Sequence, residues 1–195
     1  MKKTGIIIQA RMSSTRLPRK AMIKINNKPV IAHIIERLSF CKNADQIILS
    51  TSEDKSDDGL AKLAGKLDIA VFRGSLDDVL DRFYKTAEAF KLDTIVRITG
   101  DCPIIDPIVV DKTISNFMIG SYDLFSVGPK FPDGLDCQVF SREALYLAWQ
   151  NAKLKSEREH VCPYIEKNPE IFKLGSKNHY SEYSSLRLTY SMFSI

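Results

Sequence analysis

Apolar positions along this chain follow two alternating periods. The uninterrupted runs Gly5-Ile6-Ile7-Ile8, Gln46 to Thr51, Ile69 to Phe72 and Thr94 to Ile98 have the β-branched density of strands buried on both faces of a parallel sheet. Between them the spacing becomes helical. Ile31, Ile34, Ile35 and Leu38, then Leu60, Leu63, Ala64 and Leu67, recur at i, i+3, i+4 and i+7, and Val79, Leu80, Phe83 and Ala87 share one helical face. Pro29 suits the first turn of the first helix, and Ser75 with Asp78 reads as a capping box for the third.

Strands that alternate with helices in this way imply right-handed crossovers and an α/β fold: a Rossmann-like, mostly parallel sheet with helices on both faces. After Pro107 the rhythm changes. A helix from Pro107 to Phe117 leads to Tyr122–Val127 and to Cys137–Phe140, which flank a turn rich in Pro and Gly, so mixed or antiparallel strands are expected in the C-terminal half. Helices near Arg142 to Asn151 and Glu157 to Glu166 complete the pattern. No repeat, low-complexity stretch or linker interrupts it, and 195 residues with 44% hydrophobic content fit a single domain over 1–195.

The candidate chemistry begins where the first strand ends. Gln9-Ala10-Arg11-Met12-Ser13-Ser14-Thr15-Arg16-Leu17-Pro18-Arg19-Lys20 leaves the carboxyl end of that strand, the edge at which open α/β sheets bind ligands. Its cations Arg11, Arg16, Arg19 and Lys20 and its hydroxyls Ser13, Ser14 and Thr15 suit phosphate oxygens; a solvated basic loop is the plainer reading. Gly100-Asp101-Cys102-Pro103 follows the fourth strand at the same edge. Magnesium is held by one or two carboxylates together with substrate phosphates, which makes Asp101 the leading metal ligand, against a simple Asp turn. Cys102 has no positioned base and reads as packing. Arg73, after the third strand, is placed either on the nucleotide or in an ion pair with Asp77 or Asp78. Asp133 and Asp136 lie within a Pro-Asp-Gly turn signal and offer carboxylate oxygens to ligand hydroxyls. Ser156 with Glu159 reads as a helix-capping box, and His160 as structural.

The net charge of +4, from 28 basic and 24 acidic residues spread along the chain, favours a small anionic ligand over nucleic acid. Cys41, Cys102, Cys137 and Cys162 lack metal-type spacing and are expected to be reduced thiols. No apolar run approaches the ~20 residues of a membrane span. The expectation is a soluble cytoplasmic protein.

Several stretches resemble the sugar cytidylyltransferases, in particular the spore-coat polysaccharide branch related to acylneuraminate and ketodeoxyoctonate cytidylyltransferases. They are Ile8 to Lys20, Asn27 to His33, Arg73-Gly74-Ser75 with Asp77 to Phe83, Thr99 to Pro107, Phe131 to Asp136, and Glu157 to Val161, in the family's order. The resemblance implies a nucleotide-diphospho-sugar transferase fold, CTP and an activated or acidic sugar for surface polysaccharide or glycan synthesis as substrates, Mg²⁺, and CMP transfer with release of pyrophosphate. It places Gln9, Ala10, Arg11, Ser13, Ser14, Thr15, Arg16, Lys20, Arg73 and Asp101 around the nucleotide, with Arg11, Lys20 and Asp101 in the chemistry. A homodimer is expected by analogy. Alternatives are a transferase using another nucleoside triphosphate and a catalytically impaired nucleotide-binding or assembly protein.

Two departures from the family pattern stand out. The family usually carries Gly where this loop has Arg19: a positive φ there would strain a bulky residue, and a negative φ would turn its side chain into a further phosphate contact. Leu186 to Tyr190 resembles the family's next strand, but Ser191 to Ile195 continues neither with the acidic residue that serves the family as a second metal ligand nor with the further helix that follows it.

Overall fold

The computed structural model describes residues 2–13, 17–128, 131–177 and 188–189. The expected alternation forms the first half: β1 (Thr4–Gln9), α1 (Val30–Leu38), β4 (Gln46–Ser52), α2 (Asp58–Lys66), β5 (Ala70–Gly74), α3 (Val79–Ala89) and β6 (Thr94–Thr99). A 3-10 turn at Lys20–Met22 and a small hairpin, β2 (Lys24–Ile25) with β3 (Lys28–Pro29), lie between β1 and α1. Asn26 and Asn27 turn that hairpin at φ 49° and 63°, the left-handed pair of a type I′ turn. The second half contains α4 (Pro107–Gly120), β7 (Leu124–Val127), β8 (Gln138–Ser141), α5 (Arg142–Asn151), α6 (Lys155–His160), α7 (Pro163–Lys167) and β9 (Leu174–Lys177).

The seven-stranded sheet runs β5-β4-β1-β6-β8-β7-β9. Its first four strands are parallel, β8 is antiparallel to both β6 and β7, and β9 is parallel to β7, which is the mixed C-terminal half that the sequence predicts. Alternate residues of the buried strands feed two cores. Ile6, Ile8, Val96 and Ile98 pack with α1, α2 and α4 on one face, and Ile7 and Ile95 with α3, α5 and α7 on the other. From β1 the chain steps outward to β4 and β5, then crosses back to β6. The order therefore reverses between β1 and β6, and a crevice opens there at the carboxyl ends.

Two local predictions need correction. The expected helix over 157–166 is broken into α6 and α7 at Val161 and Cys162, ahead of Pro163. Val161 has φ 71° and ψ −60°, and the Cys162 N–H donates to the His160 carbonyl at 2.9 Å. This is the rare three-residue γ-turn, here centred on a fully buried β-branched side chain. At α3 the cap is Asp78 itself, accepting the Asp81 N–H at 2.9 Å, while the Ser75 hydroxyl accepts the Asp78 N–H at 3.0 Å. The reciprocal half of a capping box is absent because the Asp78 carboxylate is also held by Arg158.

Candidate active site

The β1 loop and the end of β6 are brought together by a close backbone approach. The Gly100 N–H donates to the Gln9 carbonyl at 2.8 Å, and a Cβ on Gly100 would stand 2.7 Å from the Ala10 Cβ and 2.9 Å from the Gln9 oxygen. Only glycine fits this contact. The loop is anchored from the other side by Asp57, which is fully buried. Its carboxylate accepts the Met12 N–H at 2.7 Å, the Ser52 N–H and the Thr51 hydroxyl at 3.0 Å each, and the Ser52 hydroxyl. Four donors satisfy a carboxylate that would otherwise be costly to bury. Arg19 has φ 60° and ψ 20°, so the left-handed alternative holds and this position carries the strain that the family's glycine avoids.

Between these anchors lies a cavity of about 430 Å³. It takes in Gln9, Ala10, Arg11, Lys20, Asp101, Asp133 and Asp136 from the sequence-derived site. Lys20 and Asp101 meet at 2.5 Å with their side chains 23% and 17% exposed. Burial pushes the Asp101 carboxyl up, but the hydrogen bond and charge of Lys20, helped by Thr99, outweigh it and hold the group below the usual carboxylate value. Arg11 donates to the Leu76 carbonyl at 3.3 Å and lies 3.7 Å from Glu159. Asp136 accepts the Gly134 N–H at 2.9 Å, so its turn role and its place in the cavity coexist. Gly134 has φ 98°, and a Cβ there would meet the backbone of Leu188 and Thr189.

Other expected members stand apart. Ser13 is exposed and not part of the wall, and Ser14, Thr15 and Arg16 lie outside the described residues. Arg73 is committed elsewhere: Nε donates to the Ser52 carbonyl at 2.9 Å, and the terminal nitrogens reach Asp58 at 2.6 Å and the Asp54 carbonyl at 2.9 Å. Its ion pair is with neither Asp77 nor Asp78, and it does not line the cavity. The β4–α2 connection supplies three acceptors first.

Sequence reasoning missed two arginines in the wall. Arg82 of α3 is 1% exposed; it donates to the Ser75 carbonyl at 2.5 Å and leaves its Nε without a partner. Burial, followed by the neighbouring Arg11 charge, lowers its pKa to about 10. Arg97 of β6 is the other. Both carried a signal: Val79, Arg82, Phe83 and Thr86 keep helical spacing on one buried face, and Arg97 interrupts an otherwise apolar strand.

The stretch Glu157 to His160 divides its work. Glu157, 7% exposed, accepts the Lys153 and Leu154 N–H groups at 3.3 and 3.2 Å and so anchors the start of α6. Arg158 grips Asp78 through Nε at 3.0 Å and a terminal nitrogen at 2.5 Å, tying α6 to α3. Glu159 and His160 line the cavity, which corrects the expectation that Glu159 is the capping residue. All four thiols are free, and burial pushes each up to about 12, so none is a ready nucleophile.

Comparison with known proteins agrees with this architecture. A family model described as cytidylyltransferase matches residues 5–191, and the chain belongs to that family of nucleotidyltransferases. It is 34% identical over 174 residues to the spore coat polysaccharide biosynthesis protein SpsF of Bacillus subtilis, covering 86% of this chain and 72% of that protein. It is 30% identical over 138 residues to the 8-amino-3,8-dideoxy-manno-octulosonate cytidylyltransferase of Shewanella frigidimarina, covering 67% of this chain and 55% of that protein. A solved cytidylyltransferase from Leptospira borgpetersenii superimposes with a TM-score of 0.94 at 35% identity, covering 98% of this chain and 82% of the other.

Proposed function

We propose that this protein transfers CMP from CTP to a sugar, with release of pyrophosphate, in the synthesis of a surface polysaccharide or glycan. The observation that carries the reading is the Lys20–Asp101 pair at 2.5 Å, set at the strand switch point with Arg11 and Arg82 beside it in a cavity about the size of a nucleotide. Family membership supplies the cytidylyl chemistry, and the SpsF and octulosonate relatives support a sugar acceptor.

In this reading Arg11, Lys20 and Arg82 neutralise the triphosphate, and negative charge growing on the departing pyrophosphate is met by fixed cations. The acceptor hydroxyl forms its bond to the α-phosphorus as the bond to the bridging oxygen breaks. Asp133 and Asp136 hold sugar hydroxyls. Among the described residues no cluster of three or more metal-ligating side chains occurs; of the carboxylates lining the cavity, Asp101 is the one paired with Lys20 beside the proposed phosphate cations. That fits magnesium, which takes one or two carboxylates and completes its shell with phosphates and water. When bound, the ion would polarise the α-phosphate and lower the pKa of the attacking hydroxyl. Lys20 is paired with Asp101; in this reading Lys20 would serve the phosphates and Asp101 would hold the cation.

The test is pyrophosphate release from CTP with 3-deoxy-manno-octulosonate and other sugars as acceptors, with UTP, GTP and ATP in competition. CTP-selective release supports the assignment. Selective release from another triphosphate overturns the choice of base.

A further inference from the structure

We infer that Asp78 and Arg158 are positioning residues for the triphosphate arginines Arg11 and Arg82, and that their ion pair acts through the connection between β5 and α3. The inference rests on the CMP-transfer reading of the cavity and deepens it by naming residues outside the wall that set the charge within it.

Asp78 and Arg158 lie 80 residues apart in the chain, in two of the stretches that carry the family resemblance, and the fold clasps them together. Arg158 Nε donates to both Asp78 carboxylate oxygens at 3.0 Å, one terminal nitrogen reaches Asp78 Oδ2 at 2.5 Å, and the other donates to the Trp149 carbonyl at 2.7 Å. A planar fork held by a carboxylate on one side and a carbonyl on the other is fixed in orientation.

The Ser75-to-Asp78 connection is where this clasp meets the cavity. Asp78 caps α3 through the Asp81 N–H, and the Ser75 hydroxyl accepts the Asp78 N–H. The Ser75 carbonyl accepts a bond from Arg82 at 2.5 Å, and the Leu76 carbonyl accepts one from Arg11 at 3.3 Å. Guanidinium groups from the β1 loop, α3 and α6 thus converge on one short connection. Arg11 and Arg82 line the cavity, whereas Ser75, Leu76, Asp78 and Arg158 do not. Backbone carbonyls orient the two cavity arginines and leave their charge for an anion. Burial, then the charge of Arg11, lowers the Arg82 pKa to about 10, and the carboxylates of Asp57 and Asp78 act in the opposite sense. Like charges held this close separate once their acceptors move, so the connection must be fixed from behind. Arg158 fixes it.

The experiment is calorimetric titration of the full chain, with Mg²⁺ present, by CTP, CMP and inorganic pyrophosphate. Asp78→Asn keeps the α3 cap, since asparagine caps as well as aspartate, and removes the charge that holds Arg158. The Kd is expected to rise ~10- to 100-fold for CTP and pyrophosphate through misplaced cations, and to stay within about twofold for CMP, which lacks the β- and γ-phosphates. The sign is diagnostic: by its field alone, removing a negative charge near the cavity would tighten the binding of an anion, so weakening reports lost positioning. Arg158→Lys, which keeps the cation and gives up the fork, should show the same selectivity with a smaller loss. Asp78→Asn added to Arg82→Met should cost less than the product of the two single losses, because both act on one contact. Tighter or unchanged CTP binding in Asp78→Asn, an equal loss for CMP, or losses that multiply in the double variant overturns the inference while leaving CMP transfer standing. A wild type that binds no CTP removes both.

Discussion

Lys20 and Asp101 form a close ion pair, 2.5 Å from ammonium to carboxylate, joining the loop after β1 to the loop after β6 across the point where the strand order reverses. The pair crosses the site where the triphosphate and its cation are proposed to bind. In the proposed reaction the two members serve different parts of the ligand, Lys20 the phosphates and Asp101 the cation.

The pH dependence of that pair has a definite sign. Asp101 titrates below its ordinary value of 3.8, so in the folded state it contributes stability that is fully present above that value and fades as pH falls through the lower folded pKa. Asp101→Asn should therefore unfold at lower urea than the wild type at pH 7, with the gap closing below the ordinary carboxylate range. Urea midpoints at pH 7, 5 and 3 measure it. A gap independent of pH would contradict the assignment.

Asp57 is expected to matter more for stability than its distance from the chemistry suggests. Asp57→Ala strands the Met12 and Ser52 N–H groups and the Thr51 hydroxyl. A loss of ~3–5 kcal/mol follows from breaking a buried charged network. Denaturant unfolding reads the cost, and a raised KM for CTP should accompany it through release of the phosphate loop.

Arg82 separates function from stability in the opposite direction. Its guanidinium is buried with an unpartnered Nε, and an apolar replacement of similar length removes that desolvation cost. Arg82→Met should fold with unchanged or slightly higher Tm, because buried charges are weak stabilisers, and lose ~10²-fold or more in kcat/KM. A large loss of stability with intact turnover would make Arg82 a structural residue instead.

At Arg19 the backbone itself is tested. With φ 60°, Arg19→Gly should exceed Arg19→Ala in stability by ~1 kcal/mol, since both delete the same side chain and only alanine keeps the left-handed penalty. Equal stabilities would show that the loop relaxes.

Much of the fold could be read from the sequence because its buried strands and helical stripes have different periods: β1, β4, β5 and β6 agree with the expected runs to within one or two residues at each end. β9, Leu-Gly-Ser-Lys, has no such pattern: it is short, contains a glycine and ends in two exposed residues, and among the described residues it pairs with β7 alone. The break at Val161 was invisible for a different reason: nothing about a valine suggests φ 71°, and packing around a fully buried side chain imposes it. Charged residues were legible where they clustered in a loop, as with Arg11 and Lys20. Arg82 and Arg97 were overlooked because each sits singly within a regular element, where only its position on a buried face distinguishes it from a solvated charge. The ion-pair partner of Arg73 is Asp58 instead of Asp77 or Asp78, because strand order locates an edge and does not show which nearby acceptors will capture a side chain.

The most direct measurement is calorimetric binding of CTP in the presence and absence of Mg²⁺, on the wild type and on Asp101→Ala, with UTP, GTP and ATP as competitors. The predicted result is CTP-selective binding that strengthens with Mg²⁺ and loses that dependence in Asp101→Ala. Binding indifferent to both the ion and the substitution, or no binding of CTP at all, would contradict it.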